Sequence, residues 1–265
     1  MKIVLFSDAH LMPGRMACGR DPFAQLSSAL ADVAAKHANA AALFVLGDLT
    51  HDGGAHEYGA LAAAVKGFPV PVHFLMGNHD SRVAYREVFG GQGYVQGTVE
   101  LDGIPFHLLD TLEEGQVMGS LGNGRLDDLE RSLVRSRAPG FVLMHHPPIS
   151  IGVPAFDLEG LSNRVDLHSC IARHSSKIRA VFFGHCHMPV AASVAGVPAF
   201  CIPSLVSPSM PVFDQPVYRS NPIGTVGYSV LLVDGPDFVI HNINLEPQPA
   251  AGRAYSQQEA AHVVC

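Results

Sequence analysis

Five short apolar runs, each ending abruptly in His, Asp or Asn, constrain this chain more than any other feature. Ile3 to Phe6 ends in SDAH, Leu43 to Leu46 in GDLTHDGG, Val70 to Met76 in GNHD, Phe141 to Met144 in HHPP, and Ile178 to Phe183 in GHCH. Apolar runs of this length, bounded by Gly and Pro signals, read as buried strands. In the last, side-chain alternation along a strand predicts that His185 and His187 point the same way. Open α/β sheets form their sites at the strand ends. Five strands of this kind can bring Asp8, His10, Asp48, Asn78, His79, His145, His146, His185 and His187 into one crevice.

The segments between the first runs have helical character. Asp21-Pro22 supplies an N-cap and a first-turn proline, followed by Phe23, Leu26, Leu30, Val33 and His37 at helical spacing. Tyr58, Leu61 and Val65 mark a second helix, and Ser81 to Phe89 a third. The resulting β–α–β–α–β–α order predicts an α/β fold with parallel strands. The rhythm then changes. Thr98 to Leu101 and Ile104 to Leu109 flank Asp102-Gly103 as a hairpin, and Arg125 to Arg137 is an amphipathic helix with Leu126, Leu129, Leu133 and Val134 on one side. A Pro/Gly-rich loop leads to a helix over Arg164 to Arg173. Short β runs follow at Val190 to Val194, Val197 to Ile202, Tyr228 to Val233 and Phe238 to Ile243. Pro203 to Gly227 is rich in Pro and Ser. A plain connection is rarely this long, so the segment is expected to cover the site or pack on a second subunit.

Composition narrows the class. Hydrophobic residues make up 48% of 265 and charged residues 15%, enough to fill a substantial core. The net charge of -7 disfavours non-specific binding to nucleic acid or anionic membrane, although a metal would supply a local positive site. Five cysteines, widely spaced and without a CxxC, suggest neither a disulfide framework nor a zinc knuckle. The start, MKIVLFSDAH, is too short for a signal-peptide core, and no run approaches the ~18 apolar residues of a membrane span. A cytoplasmic protein is the expectation.

The polar groups are imidazoles, carboxylates and a carboxamide, without thiolate, which suits a borderline or hard divalent ion. Seven candidate ligands exceed one tetrahedral zinc and fit two ions sharing a bridging carboxylate. Two ions ~3.5–4 Å apart can hold a hydroxide and grip phosphoryl oxygens, which gives a nucleophile without Ser or Cys.

DAH, GDLTHDG, GNHD, HHPP and GHCH, in that order, resemble the calcineurin-like metallophosphoesterases, and most closely their bacterial class III cyclic-nucleotide phosphodiesterase and glycerophosphodiesterase group. The resemblance covers about residues 1–205. It implies a four-layer sandwich of two mixed β-sheets flanked by helices. It assigns one metal to Asp8, His10 and His187, the other to Asn78, His145 and His185, and Asp48 to both. In HHPP the first histidine matches the ligand position. The resemblance makes His79 the expected catalytic group, which would meet the phosphate and assist the leaving alkoxide. The implied activity is hydrolysis of small phosphodiesters, cyclic nucleotides or glycerophosphodiesters, by two divalent ions (Mn, Fe or Zn) with a bridging hydroxide as nucleophile. Residues 1–205 then form the catalytic core, 206–245 a β-rich part of the same domain with a cap or dimerisation loop, and 246–265 a tail; a homodimer or higher homo-oligomer is plausible.

Other residues carry competing readings. His146 either lines the pocket or bonds outward, and Asn163 is a candidate substrate contact beside Asn78 and His79. Asp80 is expected to cap the helix that follows, and Cys186 to be a small buried apolar residue. His51 and Asp52 either reach the substrate or belong to a solvated loop. His37, His56, His73, His107, His168, His174, His241 and His262 need no chemistry. The same ligand set also permits a phosphomonoesterase or phosphotriesterase, and the fold permits a non-catalytic binding scaffold.

Overall fold

The computed structural model describes residues 1–122 and 124–246. The tail expected from 246 onward therefore lies, apart from Glu246, outside the described residues. The first half builds the expected alternation: β1 (Lys2–Phe6), α1 (Pro22–Lys36), β2 (Ala42–Leu46), α2 (Ala55–Ala64), β3 (Val72–Leu75) and α3 (Arg82–Phe89). Asp21 caps α1 by accepting from the backbone N–H groups of Phe23 (2.9 Å) and Ala24 (3.1 Å), worth about 1 kcal/mol. Strands β1, β2 and β3 run parallel. The hairpin follows as β4 (Gly97–Leu101) and β5 (Ile104–Leu108) around Asp102 and Gly103, which take φ of 49° and 76°. Positive φ at both positions is the turn geometry that matches strand twist.

Next come α4 (Arg125–Arg135), β6 (Gly140–Leu143), α5 (Pro154–Leu158), α6 (Arg164–Arg173) and β7 (Ile178–Phe183). After these lie β8 (Val190–Val194), β9 (Val197–Cys201), β10 (Ser209–Met210), β11 (Arg219–Ser220), β12 (Val226–Asp234) and β13 (Asp237–Leu245). Leu129 and Leu133 of α4 are buried, but Val134 is 64% exposed, so the expected stripe is narrower by one residue. Helix α5 was hidden in what reads as a Pro/Gly loop. The segment from Pro203 carries the small β10–β11 ladder.

The strands form two mixed sheets, ordered β13-β12-β1-β2-β3 and β4-β5-β6-β7-β9-β8. The four-layer sandwich is explained by the side-chain alternation of its strands. Ile3 and Leu5, Ala42, Phe44 and Leu46, Phe141 and Leu143, and Ala180 and Phe182 meet between the sheets. Their neighbours Val4 and Phe6, with Leu43 and Val45, turn outward under α1, α2 and α3. Val142, Val181 and Phe183 turn outward on the other side under α4 and α6. Strands buried on both faces lose the polar alternation of a surface sheet, which is why they read as continuous apolar runs. Each fully buried large apolar side chain contributes roughly 1.5–3 kcal/mol.

The two sheets end their parallel strands at one edge. Backbone pairing continues beyond the strands there: Asp8 N–H donates to Gly47 C=O (3.2 Å), His10 to Asp48 (2.9 Å), and Gly184 to His145 (3.0 Å). The loops that carry the polar motifs are thus held side by side. Among the described residues, no helix is long and apolar enough to cross a membrane.

Candidate metal centre

The five strand-end loops bring Asp8, His10, Asp48, Asn78, His145, His185 and His187 together. Asp8, His10, Asp48 and His187 form one cluster, with their ligand atoms within 4.8 Å of one another. Here His10 Nε2 lies 3.0 Å from His187 Nε2 and 3.4 Å from Asp48 Oδ2, and His187 Nε2 lies 3.5 Å from Asp8 Oδ1. On the other side, Asn78 Oδ1 is 3.1 Å from His145 Nε2 and 3.0 Å from His185 Nδ1. Asp48 Oδ2 is also 3.4 Å from His145 Nε2, so this one carboxylate touches both groups.

His185 and His187 do not converge by strand alternation, because β7 ends at Phe183. Asp8, His10, Asp48, His185 and His187 all take positive φ, between 41° and 69°. Such backbone costs a non-glycine residue about 1–3 kcal/mol and persists where the surroundings enforce it. The left-handed turns send His185 toward Asn78 and His187 toward Asp8. Cys186, between them, is fully buried in the core under α6. Two motif glycines permit this packing. A Cβ on Gly77 would collide with the Asp48 backbone and carboxylate, and one on Gly184 would collide with Ser7 Oγ.

Asp80 does not cap α3; Ser81 does, accepting from Ala84 N–H. The Asp80 carboxylate instead accepts from Leu49 N–H, Thr50 N–H and hydroxyl, Tyr58 hydroxyl and Gly77 N–H, at 2.9–3.2 Å. It ties the Asp48 loop to the Asn78 loop. Burial, followed by the Asp48 charge, pushes its pKa up to about 6.

The donor set fits divalent cations. His145 Nδ1–H donates to Leu46 C=O (2.8 Å) and His187 Nδ1–H to Ser207 C=O (2.7 Å), which leaves Nε2 of each ring as the atom turned inward. These Nε2 atoms face the oxygens Asn78 Oδ1, Asp8 Oδ1 and Asp48 Oδ2, so a positive charge between them, a proton or a metal cation, satisfies both sides. Asp8 Oδ2 and His185 Nε2 are buried with no hydrogen-bond partner, although buried polar groups normally have one. Burial opposes the Asp48 charge, yet His145 and then His10 hold this carboxylate well below the usual range. Burial also opposes a charge on His145, but Asp48 overcomes it and raises the imidazole to about 9. Positive charge is thus favoured beside Asp48, whereas burial raises the pKa of Asp8 and lowers those of His10 and His185.

A cavity of about 280 Å³ opens onto this cluster. His79 lines it. Its backbone N–H donates to Asp48 Oδ1 (2.9 Å) and its Nδ1–H to His51 C=O (2.8 Å), leaving Nε2 to the cavity. His51 also lines the cavity and stacks on His79 at 4.9 Å; Asp52 is exposed and pairs with Arg15. His146 and Asn163 are not in the cavity wall. His146 is fully buried, with Nδ1 accepting from Thr111 hydroxyl (2.7 Å) and Nε2–H donating to Val117 C=O (2.9 Å). Burial, followed by the His145 charge, lowers its pKa to about 3. Asn163 Oδ1 accepts from Leu121 N–H (2.9 Å). Both residues support loops in this structure. The strand-end signal could not reveal Phe156, Glu159 and Tyr218, which line the cavity from α5 and the long C-terminal loop.

Comparisons with known proteins agree with this geometry. The profile of the calcineurin-like phosphoesterase family matches residues 1–189. A Rhodopseudomonas palustris protein named a probable cyclic nucleotide phosphodiesterase is 35% identical over 208 residues, covering 75% of this chain and 76% of its own length. The 3',5'-cyclic adenosine monophosphate phosphodiesterase CpdA of Pseudomonas aeruginosa is 28% identical over 70% of this chain and 69% of its own. The purple acid phosphatase PPD1 of yellow lupin superposes with a TM-score of 0.68 at 13% identity; the match covers 96% of this chain and about half of that one, 52%. The family match over most of the sequence, together with the fold and the converged ligand set, establishes that the chain belongs to the calcineurin-like phosphoesterase family.

Proposed function

We propose that this protein hydrolyses small phosphodiesters, cyclic nucleotides or glycerophosphodiesters, with two divalent metal ions. Asp8, His10, Asp48 and His187 would hold one ion, and Asn78, His145, His185 and the shared Asp48 the other. The observation that carries this reading is the inward-facing set of ligand atoms gathered from five loops, with Asp48 within 3.4 Å of both His10 and His145. Bound divalent ions lower the pKa of water toward neutrality and offset charge on phosphoryl oxygens.

The protein's own groups orient and complete the reaction. Asp48 holds the His79 backbone, and the His51 carbonyl fixes the His79 ring, so the proton that His79 exchanges is on Nε2. As an imidazolium, His79 donates that proton to the departing alkoxide. Among the described residues lining the cavity there is no Lys or Arg, and Glu159 adds a carboxylate. That balance favours a diester, with one negative charge, over a phosphomonoester with two. It also disfavours a long nucleic acid. His146 and Asn163 act here as loop supports.

The test is hydrolysis of bis(p-nitrophenyl) phosphate by Asp48→Ala supplied with Mn²⁺. Loss of both ions and of nearly all turnover is expected. Turnover at the wild-type level would refute the reading.

A further inference from the structure

Beside the metal ligands, one part of the cavity wall has a chemistry of its own, with the Phe156 ring 5.9 Å from that of His185. Phe156 and Glu159 come from α5 and the turn after it; Tyr218 comes from the long C-terminal loop. The Phe156 ring meets Tyr218 edge-on, with centroids 5.0 Å apart at 75°. The Tyr218 hydroxyl donates to the Glu159 carboxylate, and it lies 3.4 Å from the Ala155 carbonyl. Phe156 is only 5% exposed, whereas Tyr218 is 50% exposed. Of these two rings, Tyr218 is therefore the one with an open face, and it carries a carboxylate at its hydroxyl end.

We propose that Tyr218 and Glu159 form a nucleobase subsite, in which the base stacks on Tyr218 and an exocyclic amino group donates to Glu159. The inference rests on the phosphodiesterase reading above and names the group it selects. A carboxylate that accepts one hydrogen bond from Tyr218 has acceptor sites left over, and an N–H edge can fill them. Every base offers a π-face, so stacking alone is tolerant and Glu159 supplies the discrimination. A quaternary ammonium, the other group attracted to aromatic and carboxylate walls, needs several ring faces around it. Here Phe156 presents no free face, so a base fits better than a choline headgroup.

The proposal is tested by measuring kcat/KM for three substrates with the Mn²⁺-loaded enzyme: 3',5'-cyclic AMP, the cyclic phosphate of purine riboside, which lacks the amino group, and methyl p-nitrophenyl phosphate, which lacks a base. The wild type is expected to prefer cyclic AMP to the purine analogue by roughly ten-fold or more, as for a lost hydrogen bond to a polar site. Glu159→Leu, which removes the acceptor, should collapse that ratio. Tyr218→Ala should depress both cyclic nucleotides relative to the baseless diester by about ten-fold, through KM. A ratio unchanged in Glu159→Leu overturns the proposal. So does glycerophosphocholine turnover equal to that of cyclic AMP, with a selective loss in Tyr218→Ala. If the wild type fails on the baseless diester, the hydrolase reading itself has failed, an outcome distinct from either of these.

Discussion

At the scale of single residues, burial decides what an ionisable group can do. His107 is 1% exposed on β5, and burial depresses its pKa to about 4. Its Nδ1 faces the hydroxyls of Thr98 (3.1 Å) and Ser132 (2.9 Å), while Nε2 is buried without a partner. The folded protein thus keeps this ring neutral at pH values where the unfolded chain, near 6.5, takes a proton. Stability from this group is fully present above pH 6.5 and is lost as pH falls toward 4. The difference amounts to about 3 kcal/mol. Urea unfolding across that window should show a shallower acid loss for His107→Gln than for the wild type. Equal slopes would show that His107 titrates freely in the fold.

At the scale of elements, the site depends on loops being pinned to one another. Asp80 is the pin, gathering donors from the Asp48 loop, the Asn78 loop and Tyr58 of α2. Asp80→Ala would leave several buried N–H and O–H groups unpaired, at roughly 3–5 kcal/mol in total. Denaturant unfolding should show that loss, and Asp80→Asn should not restore it, because its amide N–H would face other donors. Full stability of Asp80→Ala would remove Asp80 from this role.

Asp80 also marks the limit of what the sequence reveals. Its position before α3 carries the local signature of a cap, and only the fold shows which distant donors it meets. The ligand-bearing strand ends were legible because each couples an apolar run to a polar motif, and the hairpin because Asp102-Gly103 admits positive φ. Tyr218 and Glu159 were not legible. They lie in irregular segments, where no periodicity points a side chain toward the cavity. The left-handed backbone at Asp8, His10, Asp48, His185 and His187 was equally hidden, since Asp and His carry no strong local demand for it.

At the scale of the whole molecule, the two sheets each carry part of the centre, so the layer between them sets its dimensions. Rings fill that layer: Phe44 of one sheet meets Phe106 of the other at 5.3 Å, and the contacts run on along the second sheet from Phe106 to Phe141 at 5.1 Å and from Phe141 to Phe182 at 5.7 Å. Phe106→Ala should cost about 3–5 kcal/mol in urea unfolding. It should also weaken Mn²⁺ binding, because β2 and β6 carry Asp48 and His145 on opposite sides of the loosened layer. A variant destabilised to that extent but with wild-type metal affinity would show that the centre does not depend on sheet packing.

In the proposed mechanism one carboxylate, Asp48, joins two metal sites. Anomalous scattering from crystals grown with Mn²⁺ tests it most directly. Two peaks per chain are expected, one among Asp8, His10 and His187 and one among Asn78, His145 and His185, both in contact with Asp48. A single peak, or a pair of peaks that does not share Asp48, would contradict it.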